Sequence, residues 1–326
     1  MKAVLCKAYG PPESLVVEEV PSPVPGPKQV LIEVKACGVN FPDTLIIEGK
    51  YQFKPEMPFS PGGEVAGVVK AIGEKVKHLT VGQPVFSLMG WGGFAEETLA
   101  DASGTFPIPP GMDFVQAAGF SMTYGTSYHA LVDRAKIKEG ETLLVLGAAG
   151  GVGLTAVEIG KLLGAKVIAA ASTQEKLDLC KEYGADETIL YNDEDLKARI
   201  KEITEGKGVD VVYDPVGGKY SEAALRGMAW EGRYLVIGFA AGDIPKIPLN
   251  LPLLKGCQVV GVFWGAFAQR FPQQNMGNFM QMLQWFAQGK LKPHIHGTYP
   301  LEKASEALYE MLHRKVRGKL VLVPTA

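Results

Sequence analysis

The sequence predicts an α/β chain in two parts, a mostly β segment and a parallel doubly wound sheet, and three observations carry that expectation. Short β-branched runs separated by Pro and Gly fill the first 120 or so residues. From Ser127 the character changes, and strand-like apolar runs alternate with segments of helical periodicity. Between the first such strand and the first such helix stands a glycine cluster, GAAGGVG, at residues 147 to 153.

Taken in order, MKAVLCKA, SLVVEEV, QVLIEVKACGV, EVAGVVKAIG, QPVFSLMG and GFAEETLA read as strands, because β-branched residues suit a pleated surface and Pro or Gly ends each run. The helical segments are YHALVDRAKI, TAVEIGKLLG, STQEKLDLCKEYG and YSEAALRGMA, which repeat their apolar residues every three to four positions. They interleave with LLVLG, KVIAAA, ETILY, DVVYDPVG and RYLVIG. Strands joined by crossover helices belong to a parallel sheet. After residue 265 come the helical WGAFAQRFPQQNMGNFMQMLQWFAQG, a second helical stretch from Leu301 to His313, and a closing strand GKLVLVP. The Pro-rich, Gly-bounded pieces of this tail resemble the opening segment, so the expected domains are 1–121 with 267–326, and 122–266. There is no internal repeat and no low-complexity stretch.

A chain of 326 residues has material for two cores. Lys plus Arg number 33 against 35 Asp plus Glu, a net charge of −2 without polybasic blocks, which speaks against a nucleic-acid or membrane-surface partner and suits a small neutral-to-acidic ligand. The four cysteines, Cys6, Cys37, Cys180 and Cys257, form no C-x-x-C pair and read as free thiols in a reducing compartment, so a cytoplasmic protein is expected. The amino terminus meets Pro, Gly and Glu too early for a secretory segment. The apolar run from Thr142 to Val157 is broken by glycines and falls short of the ~20 residues that span a bilayer.

GAAGGVG places Ala148 where the first glycine of G-x-G-x-x-G would stand, then Gly150 and Gly153 at the right spacing. A buried-strand run precedes it and a helix ending at Gly164 follows, so Ala149, Gly150, Gly151 and Val152 open that helix where free N–H groups face an anion. Gly150 permits close backbone approach, and Gly153 lets the helix pack on the strand. An ordinary tight turn is the alternative; the strand, helix and following repeat favour a dinucleotide. A carboxylate ~20 residues on would bind a ribose 2′-hydroxyl and repel a 2′-phosphate. Here the position is Ser172, followed by Thr173, with Lys176 one helical turn beyond. Tyr191, which ends ETILY, is placed to wall the adenine ribose. The expected cofactor is therefore NADPH.

With these motifs in order, the whole chain resembles the medium-chain dehydrogenase/reductase superfamily, in its zinc-free quinone oxidoreductase (zeta-crystallin-like) branch. The most specific stretch is GETLLVLGAAGGVGLTAVEIGK, residues 140 to 161, which matches the branch signature except that Glu158 stands where glutamine is usual. Glu158 is spaced to pair with Lys161. The resemblance implies a Rossmann domain for NADPH and a GroES-like catalytic domain. Zinc-dependent relatives hold their metal with a Cys after a G-V/I pair, a His in a GHE triplet and a later Cys or His. The matching stretches here read CGVNFPD, PGGEVAG and AAGFSMTYG, which put Asn40, Gly63 and Ala118 at the ligand positions. None offers a thiolate or imidazole, and His294 with His296 lacks a third ligand, so no metal is expected.

Without a Lewis acid, hydride addition to an isolated carbonyl leaves its alkoxide charge unsupported. A quinone or α,β-unsaturated carbonyl instead forms a delocalised anion that a few donors can hold. The resemblance carries Asn40 and Tyr51 to the substrate and nicotinamide pocket, with packing as the alternative role of Tyr51; Asp43, three residues beyond Asn40, is spaced to cap the turn or helix beginning TLII. It carries Thr126 to a cofactor contact near the nicotinamide, where helix capping is the alternative role. It lines the cleft with Phe239, Phe263 and Trp264, and lets Arg314 or Lys319 reach the adenosine phosphate. It also implies homodimerisation through the apolar run GCQVVGVFWG, an expected edge strand. Two other functions fit the branch: an enoyl-thioester reductase, and a lens structural or AU-rich RNA-binding protein, the latter disfavoured by the charge.

Overall fold

Apolar and β-branched residues set the first strands of the computed structural model, which describes residues 1–324. Strands β1 (Lys2–Leu5) and β2 (Val16–Glu19) form an antiparallel ribbon. Next come β3 (Gln29–Val39), α1 (Phe41–Ile46), β4 (Glu64–Ile72), β5 (Pro84–Leu88), β6 (Glu97–Asp101), β7 (Thr105–Pro107) and α2 (Phe114–Ala118). The long β3 is the spine of this sheet and pairs antiparallel with both β4 and β6. Its Val30, Ile32, Val34, Cys37 and Val39 pack with Val65, Val85 and Phe94 in one core. Each large apolar side chain so buried contributes about 1.5–3 kcal/mol.

After α3 (Ser121–Tyr128) and a π-helical turn, His129–Arg134, the period changes to that of a wound sheet. Its elements are β8 (Thr142–Leu146), α4 (Gly151–Leu162), β9 (Lys166–Ala171), α5 (Gln174–Glu182), β10 (Glu187–Leu190), α6 (Leu196–Ile203) and β11 (Val209–Asp214). Then follow α7 (Tyr220–Arg226), β12 (Met228–Val236), α8 (Asn250–Lys255), β13 (Gln258–Gly261), α9 (Trp264–Arg270) and α10 (Pro272–Ala287). The strand order is β10-β9-β8-β11-β12-β13, all parallel. Leu143, Leu144, Val145 and Leu146 of β8 are fully buried, as a parallel strand covered on both faces requires. The chain departs from β8 toward β9 and later returns on its other side at β11, and open α/β sheets bind ligands at such a switch, beyond the carboxyl ends of the strands.

The tail adds β14 (Ile295–Pro300), α11 (Ala304–Leu312) and β15 (Lys319–Val323). β15 inserts between β14, to which it is parallel, and β3, to which it is antiparallel. The chain accordingly divides into two units, Met1–Met122 with the residues from Pro293 on, and Thr123–Lys292. The second division thus falls 26 residues beyond the expected 266/267 boundary. The reason is packing rather than composition. Helices α9 and α10 bury Trp264, Phe279 and Met282, the Phe267 ring stacks on His129 at 3.9 Å, and the Gln274 and Asn278 amides donate to Asp133. Among the described residues, no helix is long and apolar enough to cross a membrane.

Candidate functional site

The turn between β8 and α4 is built by glycines with separate tasks. Gly147 takes a left-handed φ of +58°, where an added Cβ would also meet Val216 at 2.7 Å. At Gly153 a Cβ would lie 2.3 Å from the Gly147 carbonyl oxygen, so only glycine lets α4 sit this close to the turn. Gly150 differs, because a Cβ there would meet only the Gly147 oxygen, at 3.3 Å. The fold itself demands little of that position, and the room beside it suits the close approach of a phosphate. Gly150 is the N-cap and brings no side chain to the first turn, which leaves the N–H groups of Gly151 and Val152 without a side-chain cap. Ala148 and Ala149 turn their methyls into the core. These residues fit a dinucleotide pyrophosphate.

At the carboxyl end of β9, Ser172 accepts a hydrogen bond from Lys176 Nζ at 3.3 Å. Thr173 is the N-cap of α5 and accepts from the Lys176 N–H. Tyr191 follows β10, and its ring lies 4.3 Å from that of Tyr220. Ser172, Lys176 and Tyr191 thus gather beside one sheet edge, with no carboxylate at the Ser172 position. Phe239, half-buried, follows β12 and stands over the Gly217 turn that follows β11.

Thr126 lies inside α3 and caps nothing. Its neighbour Ser127, which the sequence reading passed over, bonds to the Val152 carbonyl at 2.9 Å and to the hydroxyls of Thr155 and Tyr213 at 2.8 Å each. This network fastens α3 to the first turn of α4. Of the two strand-end aromatics, Phe263 is 48 % exposed but Trp264 only 3 %. The Trp264 indole packs on Gly125, where a Cβ would clash at 2.4 Å, and donates to Asn275 at 3.0 Å. It is a core residue and not a cleft wall. The expected Glu158–Lys161 pair is also absent. Glu158 faces inward and accepts from the Tyr124 hydroxyl at 2.6 Å and the Lys292 N–H at 2.7 Å, while Lys161 pairs with Asp186 at 2.8 Å. Burial pushes the Glu158 carboxyl above the usual range.

The first unit holds a buried polar cluster around Asn40. Its N–H donates to Asp43 Oδ2 at 2.8 Å, so Asp43 closes the start of α1. Burial raises the Asp43 carboxyl to about 6, although the Asn40 and Gly62 N–H groups favour its charged form. The Asn40 carboxamide accepts from Lys319 Nζ at 2.6 Å and donates to Glu64 Oε2 at 3.1 Å. Glu64, fully buried, also accepts from the Met122 N–H at 2.8 Å and from Lys319 at 3.2 Å. Lys319 is only 5 % exposed and bonds the Val39 carbonyl too. It therefore does not serve an adenosine phosphate: β15 pairs Leu320 with Val39, and this register sets the lysine beside Asn40. Arg314, at the end of α11, is exposed with a left-handed φ of +57°. Tyr51 is half-buried, edge-on to Phe53, and burial with the nearby Asp43 charge raises its phenol. Gly63 and Ala118 are buried in this unit, and a Cβ on Gly63 would meet the Met89 carbonyl at 2.9 Å. His294 and His296 are half-buried around the start of β14. Among the described residues, no group of three or more His, Cys, Asp or Glu could hold a metal ion.

A family model described as alcohol dehydrogenase GroES-like domain matches residues 26–110, and one described as zinc-binding dehydrogenase matches residues 151–285. The chain is 42% identical over 325 residues to a quinone oxidoreductase-like protein 2 homolog of Nematostella vectensis, covering 98% of this chain and 88% of that protein. It is 34% identical to the quinone oxidoreductase of Homo sapiens, covering 99% and 98% of the two chains. The crystal structure of Escherichia coli quinone oxidoreductase complexed with NADPH superposes with a TM-score of 0.93 at 31% identity, covering 99% and 100%.

Proposed function

The chain belongs to the quinone oxidoreductase family of medium-chain dehydrogenases/reductases, and on that premise we propose that it transfers hydride from NADPH to a quinone or another conjugated carbonyl without zinc. The observation that carries this reading is the pairing of an uncapped helix start at Gly150 with the Ser172–Lys176 contact, and no carboxylate, at the end of β9. Bound NADPH would supply the hydride. The N–H groups of Gly151 and Val152 hold the pyrophosphate, and Ser172, Lys176 and Tyr191 take the 2′-phosphate end. Thr126, Phe239 and Phe263 are proposed contacts along the cofactor, and exposed Arg314 a contact for its adenosine phosphate.

The residues that stand at the metal-ligand positions of zinc-dependent relatives, Asn40, Gly63 and Ala118, offer carboxamide, hydrogen and methyl, a donor set unsuited to zinc. An acceptor that spreads its charge suits such a site. In this reading the Tyr51 hydroxyl donates to the developing oxyanion, and Asn40, its carboxamide engaged by Lys319 and Glu64, is a fixed polar wall of the same pocket. The exposed edge strand β13 supports a homodimer, and four unpaired thiols suit the cytoplasm.

The test is NADPH oxidation with 1,4-benzoquinone and 9,10-phenanthrenequinone, run beside alkenals and short enoyl-CoA esters. Quinone or enone turnover is expected, and none with any acceptor would refute the reading. In the same assay Lys176→Ala raises KM for NADPH roughly tenfold or more while KM for NADH moves far less. An equal effect on both cofactors would remove the 2′-phosphate assignment.

A further inference from the structure

Ser172 and Tyr191 are bound together by two residues that belong to neither the glycine turn nor the lysine contact. The Asn192 side chain bridges them. Its Nδ2 donates to the Ser172 carbonyl at 3.0 Å, and its Oδ1 accepts from the Tyr220 hydroxyl at 3.0 Å. Tyr220 in turn lays its ring 4.3 Å from Tyr191 and carries the Lys219 ammonium 5.1 Å from its own centroid. The bridge thus joins the end of β9, the end of β10 and the start of α7. An open cavity of about 410 Å³ borders it, its wall setting Lys197, Lys219 and Arg226 among the carboxylates Glu194, Asp195 and Glu222.

These contacts do what a binding site requires of its surroundings. A hydroxyl and an ammonium discriminate a phosphate monoester more strongly when they are held in place before it arrives, because ordering them on binding consumes affinity. Ser172 follows the last residue of its strand, and the Asn192 amide is the side-chain bond that its carbonyl receives. The Tyr191 ring packs at 4.3 Å on that of Tyr220, whose hydroxyl donates to the same asparagine.

We propose that Asn192 and Tyr220 are positioning residues that set the preference for a 2′-phosphorylated dinucleotide, through the bridge from Ser172 to Asn192 to Tyr220 and the ring pair it supports. The inference rests on the reading that Ser172 and Lys176 receive the 2′-phosphate. Both residues act through Ser172 and Tyr191, and neither is itself a phosphate ligand.

The experiment measures, on the full-length protein, dissociation constants for adenosine 2′,5′-bisphosphate and 5′-AMP by calorimetry, and for NADPH and NADH by nucleotide fluorescence. The variants are Tyr220→Phe, Asn192→Ala and Lys176→Ala. Tyr220→Phe and Asn192→Ala are expected to weaken the bisphosphate and NADPH by about three- to tenfold and to change 5′-AMP and NADH by less than about twofold. A merely structural role would move all four ligands in parallel, and that result, or no change in any, overturns the proposal. Lys176→Ala separates the two layers. If it discriminates by phosphate while the other two variants do not, the bridge alone is wrong. If it fails to discriminate, the reading beneath the bridge falls with it.

Discussion

Lys319 shows how far a single residue's meaning depends on strand register. Asn40 and Glu64 stand in the motifs CGVN and PGGEV and were legible as site candidates or their neighbours, but Lys319 is 255 residues from Glu64 in the chain. From its place in RGKLVLV it was expected to reach the adenosine phosphate of the cofactor. Only the pairing of β15 with β3 brings its ammonium to the Glu64 carboxylate and the Asn40 carboxamide, inside the core. Hydrophobic periodicity tells which face a strand buries and is silent on which residue of a distant strand lies opposite. The energetic consequence follows from burial. Removing one partner of a buried ion pair leaves an uncompensated charge, so Lys319→Met is expected to destabilise the protein by about 3–5 kcal/mol in urea denaturation. Adding Glu64→Gln removes that charge and is expected to recover most of the loss. A double variant no more stable than Lys319→Met would show that the ammonium matters for packing and not for charge.

At the scale of elements, the strand–turn–helix unit around Gly150 was readable because each part carries a local signal: an apolar run, glycines at fixed offsets, then a 3.6-residue period. What local signals do not carry is the partner of a helix face. Trp264 reads as an aromatic ending a strand, yet β13 stops at Gly261 and the indole turns back into the gap that Gly125 leaves on α3. A small residue in TYGTS and a large one in FWG make sense only as a pair. The same holds for Glu158. Its i+3 spacing to Lys161 suggests a surface pair, while the inward face of α4 presents it to Tyr124 of α3 and to the Lys292 N–H. This placement makes a pH prediction. Because burial raises the folded-state pKa of Glu158 above the ordinary 4.5, the folded form binds more protons than the unfolded one in the window above that value, and stability is lost as pH rises through it. Glu158→Gln keeps an oxygen for the Lys292 N–H and carries no charge. The variant is expected to match the parent near about pH 4 and to exceed it in denaturant midpoint near about pH 8, where the parent carboxylate is ionised. A constant difference across that range would mean that the Glu158 titration is not coupled to folding.

At the scale of the whole molecule, the alternation of strands with crossover helices led directly to the parallel sheet, and the return of the tail to the first sheet was expected from its composition. The point of return was not, since α9 and α10 are assigned by the surfaces they bury and those surfaces lie on α3 and the π-helical turn. Once the sheet is ordered, its β13 edge becomes a physical problem. Among the described residues β13 is a terminal strand with no strand along one side, where the Gly261 carbonyl accepts from Arg134 Nε at 3.1 Å; its Val259 is 48 % exposed, and nearby Trp230 and Leu253 are 70 % and 77 % exposed. An apolar edge of this kind is a template for further pairing and is rarely left open. Isologous pairing of two β13 strands would close it in a dimer, because a two-fold axis lets the same edge meet itself and leaves no edge to propagate. The expected solution species at micromolar concentration therefore has twice the 35.0 kDa chain mass by light scattering. Val259→Lys puts a like charge from each copy at the seam and is expected to yield a folded monomer with unchanged far-ultraviolet circular dichroism. A parent protein that is already monomeric would mean that the edge is protected by its short length alone, four residues in β13, and that no second copy is needed.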